Sequence, residues 1–517
     1  MDETAGPTRL SPRRFALLFA VLFALAALPV LCCDTLPLFD YPNHLARMHI
    51  LAAWAQSSPL QRYYEVAWRP LPNLAMDLVV PPLSRLMPLA WAGKAFVLAT
   101  LLLLAGGTAL LHRVLFGSWS AWSCLAFLLL YSRELLWGFL NYVAGVGLGL
   151  FALALWLALE RRRAALRIVV GTVFALALYF AHLLACGLYG VLVMGRAAAI
   201  AWRRRAAPRS ALAELLVAGI PFLPPLAVLV LLTPGSAGGA INYGSMLRKF
   251  DLLFSVFDNY SRPFDVACFA LAVIALGLAF ARGWVRLAPG MGVPLLLLAL
   301  VYVAMPSQLA TASGADHRIP LLMALMLVAS SRWTAAARPV LRRWFLGGAL
   351  VMFLARLGIL GASWEASDGI YARLLPALDS LPIGSRLAVA YPASAINSQP
   401  TPLVHFPTLA VVRRDAFVPT LFAFPTQQPV ALAPPYRALA DRLSPERLWS
   451  AFVGRGAPLD PAERALLARY DYIVFVGRDR FAVVSSPPLV AEFSAPRFAL
   501  FRIAAGAGTL DGSGLAR

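Results

Sequence analysis

Charge is scarce in this sequence. Only 14% of its 517 residues are Asp, Glu, Lys or Arg, against 60% that are hydrophobic, and that balance excludes a soluble globular domain, in which about 25% are charged. Cysteine is scarcer still. The five, Cys32, Cys33, Cys124, Cys186 and Cys268, fall in or beside apolar runs, which excludes a disulfide framework, and no CxxC or HExxH pattern marks a metal site. There is no GxGxxG or Walker loop, so a soluble nucleotide is not expected as a group donor. Repeats of about 20 to 50 residues are not evident, which excludes a solenoid.

Long apolar runs are what the chain has instead. They mark a polytopic α-helical membrane protein, since about 20 apolar residues are needed to cross a bilayer as a helix. The net charge of +20 does not point to nucleic acid, because the basic residues cluster between the runs. They report topology. Arg9, Arg13 and Arg14 precede a first span over Phe15 to Cys33, so the N-terminus is expected in the cytoplasm and residues 34–90 outside it. A signal peptide has similar flanks, but the residues directly before Asp34 form no convincing small-x-small cleavage site and the apolar core is long, so the segment is read as a retained span.

Further runs follow at about 91–111, 116–132 and 135–159. Residues Ile168 to Trp202 are nearly all apolar between two Arg clusters. One helix of that length would extend about 50 Å against a hydrocarbon core of about 30 Å, so it is expected to be a hairpin turning outside near His182. Runs at about 212–232, 264–281, 291–305, 319–331 and 344–362 bring the expectation to about 11 transmembrane helices, with every major Arg cluster on one side.

Beyond Ala362 proline and charge increase. The sequence divides into a transmembrane domain, 1–362, carrying a first outer loop 34–90, and a C-terminal extracytoplasmic α/β domain, 363–517. In the latter, β-like runs fall at 386–390, 409–412, 472–476, 481–484 and 498–503, and helical stretches at 371–381 and 461–470. The second helix starts at Asp460-Pro461, an N-cap followed by a first-turn proline. The Gly-rich tail, 506–517, is expected to be disordered. His405, Asp415 and Asp441 match no triad or metal spacing, so the chemistry is not placed in this domain. Phe422 and Tyr436 offer rings on which a sugar could stack.

Ionisable groups at the outer membrane surface are the remaining candidates. Directly after the first span come Asp40, His44 and Arg47, at spacings that lie along neighbouring faces of a helix beginning at Pro42, with Ile50, Leu51 and Trp54 on its apolar side. Asp40 stands where a helix N-cap would, and a cap and a base are not exclusive roles. The next outer turn supplies Arg133 and Glu134, the hairpin turn His182, and a later turn Asp316-His317-Arg318-Ile319-Pro320. Trp137, Asn141 and Tyr142 suit the interfacial belt, and Gly145, Gly147 and Gly149 suit close helix contact.

An Asp soon after the first span, an acid in the next outer turn, the late "DHRIP" before an apolar run and a C-terminal domain ending in "FALFRI" together resemble the GT-C-type polyprenyl-phosphate-dependent glycosyltransferases of bacteria. His317-Arg318-Ile319-Pro320 is an imperfect match to the family's late "RY-x-x-P" motif, and Tyr41-Pro42-Asn43 stands where many members carry a second acid. The resemblance implies an inverting hexosyl or pentosyl transfer, in the bacterial inner membrane, from a polyprenyl-phosphate-linked sugar to an extracytoplasmic glycan, lipid or protein acceptor.

By that resemblance Asp40 would be the catalytic base and Glu134 would assist it or bind a divalent cation, Mg or Mn. No cofactor is implied with certainty. Arg318 would hold the lipid phosphate, and His44, Arg47, His182 and His317 would contact substrate. Two other readings of the same layout stay open. A transporter or flippase would carry charges at mid-span and duplicated halves, and a non-catalytic scaffold would use the exported domain to bind a partner in envelope assembly.

Overall fold

The computed structural model describes residues 9–232, 241–309, 312–396, 401–454, 456–483 and 489–504. The tail beyond 505, expected to be disordered, lies outside the described residues. The chain divides into two compact units, one of residues 1–34, 69–80 and 91–365, the other of residues 35–68, 81–90 and 366–517.

The first unit is helical. Among the described residues of the chain, eight helices are long and apolar enough to cross a membrane: Pro12–Cys32, Leu89–Phe116, Leu140–Ala158, Ala164–Ala181, Leu183–Arg203, Pro208–Leu231, Arg262–Ala281 and Pro339–Asp379. The protein is therefore a multi-pass membrane protein. The first helix starts where Ser11 caps the Arg14 amide ahead of Pro12, whose missing N–H costs nothing at that position. The hairpin turns at His182, whose Nδ1 accepts from the Leu184 amide at 3.2 Å and so caps the returning helix.

Three of the eleven apolar runs take shorter forms. Gly292–Ala304 and Ile319–Ser330 are helices of 13 and 12 residues. Ala121–Leu129 is a 3-10 helix of nine residues, entered from an antiparallel pairing of Trp119–Ser120 with Arg9–Leu10. The expectation of a full helical span there is corrected, and the cause is that apolarity reports burial rather than backbone period. Trp122 and Phe127 are buried, and the Trp122 indole donates to the Val328 carbonyl at 3.1 Å.

Small residues set how closely the helices approach. At Gly147 a Cβ would lie 2.6 Å from Leu103 Cβ and 2.8 Å from the Leu103 carbonyl carbon. At Gly145 it would lie 2.8 Å from Ala185 Cβ.

The second unit is α/β. Its sheet holds β1 (Leu387–Ala390), β2 (Tyr472–Val476), β3 (Leu489–Ala495) and β4 (Phe498–Ile503) in the order β3-β4-β2-β1. β1 and β2 are parallel, with Tyr472 opposite Leu387, and the other pairs are antiparallel. β1 and β2 are almost entirely buried, reading as continuous apolar runs of the kind expected for strands covered on both faces. A separate antiparallel pair joins Tyr64–Val66 to Val430–Leu432.

The expected strand at 409–412 is a helix, Leu409–Arg414. Val411 and Val412 favour a strand locally, but Leu409, Ala410 and Val411 are buried as the segment packs on the Tyr41–Ala53 helix. Residues 481–483 form no strand, and residue 484 lies outside the described residues. The helix expected at 371–381 is the end of one continuous helix from Pro339 to Asp379. The expected start at Asp460 is a full capping box with Glu463.

Candidate functional site

The candidate residues fall in both units, and each unit gathers its own group. In the second unit, Asp40 occupies the N-cap position of the Tyr41–Ala53 helix without making a side-chain capping bond. Its Oδ1 lies 3.4 Å from Nε2 of His405. Both side chains are largely buried, as are Asn43, His44 and Arg47 on the following turns.

The chemistry of this group follows from which atoms can only donate and which can only accept. Asn43 Oδ1 accepts from the Phe422 amide at 2.7 Å, and its Nδ2 donates to the Thr420 carbonyl at 3.2 Å. These two backbone groups admit only one orientation of the amide. The same Nδ2 stands 2.8 Å from Nδ1 of His405, which must accept. In the neutral imidazole the proton then sits on Nε2, the nitrogen that faces Asp40. The ring is packed between Phe39, at 4.8 Å between centroids, and Phe422, at 5.0 Å.

One turn further along, Arg47 Nη2 donates to His44 Nδ1 at 3.3 Å. The Gln428 amide, oriented so that its nitrogen donates to the Phe422 carbonyl, accepts from Arg47 Nη1 at 3.2 Å. Arg47 is fully buried, so the helix carries a cation inside the unit and ties it to the segment that also holds Asn43. On the same helix His49 Nε2 meets Asp415 Oδ1 at 2.8 Å, and Ser57 donates to Asp415 Oδ2 at 2.7 Å. Asp415 sits at a left-handed φ of 49° that ends the Leu409–Arg414 helix. It is a structural tie between segments, whereas Asp441 is exposed.

The first unit gathers Glu134, His182, His317 and Arg318. Glu134 is buried, accepts from Ser255 Oγ at 2.9 Å, and has no hydrogen-bond partner for Oε2 among the described residues. Burial raises its pKa above the usual carboxylate range, and the nearby hydroxyls and Arg133 only partly offset this. The neighbouring Arg133 forms an ion pair with Asp258.

His317 stacks on Trp137 with ring centroids 5.5 Å apart. Burial, with the charges of Arg133 and Arg248, lowers its pKa to about 4, so the ring is neutral at pH 7. Desolvation and the charge of Arg318 likewise hold His182 well below its ordinary value. Arg318 lies over the Phe139 ring at 4.3 Å, and its carbonyl accepts from the Tyr142 hydroxyl at 2.5 Å. Asp316, fully buried, faces Lys249 at 3.6 Å and Arg248 at 3.7 Å. Trp137 and Tyr142, read from sequence as belt and packing residues, thus also contact the candidates His317 and Arg318.

A divalent cation beside Glu134 would have few ligands from the protein itself. Among the described residues no group of three or more His, Cys, Asp or Glu side chains could hold a metal, and the donors at Glu134 are one carboxylate and the Ser255 hydroxyl. Mg is commonly held through one or two carboxylates, with water and substrate phosphate completing the octahedron, so these two groups would supply only part of a coordination shell.

His405 is the residue that sequence reasoning passed over. Its partner Asn43 is 362 residues away, and no spacing rule reaches that far. The local signal was slight: a histidine beside Phe406 in a segment that is almost wholly buried.

No protein-family model matches the chain, and no curated protein matches it. Solved structures do. ArnT from Cupriavidus metallidurans bound to undecaprenyl phosphate is 13% identical, and the match covers 96% of this chain and 99% of that one with a TM-score of 0.55. The same protein in the apo state is 14% identical over 94% and 98%, with a TM-score of 0.52. The chain therefore has the fold of ArnT, a polytopic helical architecture with a small sheet domain at the C-terminus.

Proposed function

We propose that this protein is an inverting membrane glycosyltransferase that moves a hexose or pentose from a polyprenyl-phosphate carrier to an acceptor outside the cytoplasm. The observation that carries this reading is the Asp40 carboxylate, which leaves its own helix uncapped and is aimed at His405. The fold shared with a protein solved with undecaprenyl phosphate supports the class of donor.

In this reading the acceptor hydroxyl gives its proton to Asp40 as its oxygen forms a bond to the anomeric carbon. The bond from that carbon to the phosphate oxygen breaks, and the lipid phosphate leaves with the electron pair. Transfer of this kind needs a base at the acceptor and a cation for the departing phosphate. Arg318 is suited to the second task, because guanidinium presents a planar fork to phosphate oxygens and keeps its charge. Glu134, buried and with a raised pKa, is suited to carry a proton. His44, Arg47, His182 and His317 are assigned to substrate contact.

The Arg clusters that alternate with the spans support an N-terminus in the cytoplasm and a C-terminal domain outside it, in a bacterial inner membrane. Purified protein in proteoliposomes, supplied with undecaprenyl-phosphate-linked radiolabelled sugars and acceptor lipids, tests the reading. Asp40-dependent consumption of a lipid-linked sugar is expected. Movement of the intact lipid across the bilayer without consumption would favour a flippase.

A further inference from the structure

We propose that His405 is a positioning residue for Asp40, and that Asn43 sets its tautomer. The inference rests on the reading of Asp40 as the base. Phe422 N–H and the Thr420 carbonyl fix the Asn43 amide, the amide makes His405 Nδ1 an acceptor, and the ring proton is thereby directed at Asp40 Oδ1. A carboxylate tethered through one oxygen keeps the other for an incoming hydroxyl. The separation of 3.4 Å is longer than a closed N–H···O bond of about 2.7 to 3.2 Å, as is common before substrate binds, and it shortens when the acceptor is in place.

The chain supports this ring from several sides. Phe39 and Phe422 hold its faces and edges. Its own carbonyl accepts from Thr408 N at 3.1 Å and from Thr408 Oγ1 at 2.7 Å, which anchors the backbone from which it projects. A histidine serving only to fill space would need neither a fixed tautomer nor a carboxylate at its second nitrogen.

Two substitutions separate positioning from packing. Glutamine places an amide N–H where Nε2 stands, while asparagine places its polar group where Nδ1 stands. With an undecaprenyl-phosphate-linked radiolabelled sugar as the probe, His405→Gln is expected to keep kcat within about 3-fold of wild type. His405→Asn is expected to lose about 10- to 100-fold in kcat at unchanged KM, the scale of one hydrogen bond to a charged group. Equal rates for the two variants would overturn the proposal.

A second measurement needs no substrate. In protein labelled with 15N-histidine, with the His405 signals identified by their loss in His405→Gln, Nε2 is expected to be protonated and Nδ1 bare at neutral pH. Asn43→Leu is expected to release that preference. A proton found on Nδ1 in the wild type would overturn the proposal. Wild-type turnover in Asp40→Asn would instead sink the reading on which it rests, and leave the tautomer result to stand on its own.

Discussion

Ser255 donates its hydroxyl to one oxygen of Glu134 at 2.9 Å, and the other oxygen of that buried carboxylate has no hydrogen-bond partner among the described residues. A carboxylate half-satisfied in this way is better kept as the neutral acid, which is the direction in which its pKa is displaced.

That displacement makes stability depend on pH. Because the folded-state value lies above the unfolded one, the folded protein holds a proton that the unfolded chain has released. The stabilisation from the neutral acid is complete below about pH 4.5, the ordinary value, and is lost as pH rises through the folded-state pKa. Glu134→Gln, which copies the neutral form, is expected to unfold at a temperature that rises relative to wild type as pH goes from 4.5 to 8. Each unit of pKa displacement corresponds to about 1.4 kcal/mol. Thermal unfolding in detergent across that range checks it, and a difference that does not change with pH would argue that folding leaves the carboxyl's pKa where it was.

Gly147 and Gly149 are two residues apart on one helix and are expected to respond differently to alanine. A methyl at Gly147 meets the backbone of Leu103 at 2.8 Å, whereas at Gly149 the nearest atom is Leu178 Cδ2 at 3.9 Å. Gly147→Ala is expected to destabilise by about 1 to 3 kcal/mol, the scale of overpacking a closed interface. Gly149→Ala is expected to be neutral or stabilising by a few tenths, as removing a mid-helix glycine usually is. Unfolding of the two purified variants in detergent decides it.

Arg318→Ala is expected to weaken binding of undecaprenyl phosphate by about 10- to 100-fold, the scale of a charge-assisted hydrogen bond to phosphate. Lysine at the same position is expected to recover only part, because it lacks the planar fork and the stacking on Phe139 that the guanidinium makes at 4.3 Å. Titration of the lipid into protein in nanodiscs measures both, and equal affinity in wild type and Arg318→Ala would remove Arg318 from the phosphate site.

How much of this was legible in the sequence depended on range. The hairpin at His182 could be read because helix length and bilayer thickness are both fixed quantities, and the capping box at Asp460 because a cap is decided within four residues. The 3-10 helix at Ala121–Leu129 and the Leu409–Arg414 helix were misread, since neighbours distant in the chain chose the backbone form there and apolar composition is silent about period. At the candidate site, Asp40, His44 and Arg47 were visible from their spacing along one helix. That His405, Phe422 and Gln428 partner this helix was not, because each reaches it from several hundred residues away. The discarding of His405 for lack of a motif is the clearest instance: a pair made by the fold leaves no pattern in the sequence.

The most direct test of the account is the fate of an undecaprenyl-phosphate-linked radiolabelled sugar in proteoliposomes of wild-type protein and of Asp40→Asn. Wild type is expected to consume the lipid-linked sugar. Asp40→Asn, folded and present in the membrane at the same level, is expected to be slowed by at least about 100-fold, the lower end of what a positioned base contributes. Consumption by Asp40→Asn at the wild-type rate would contradict the account.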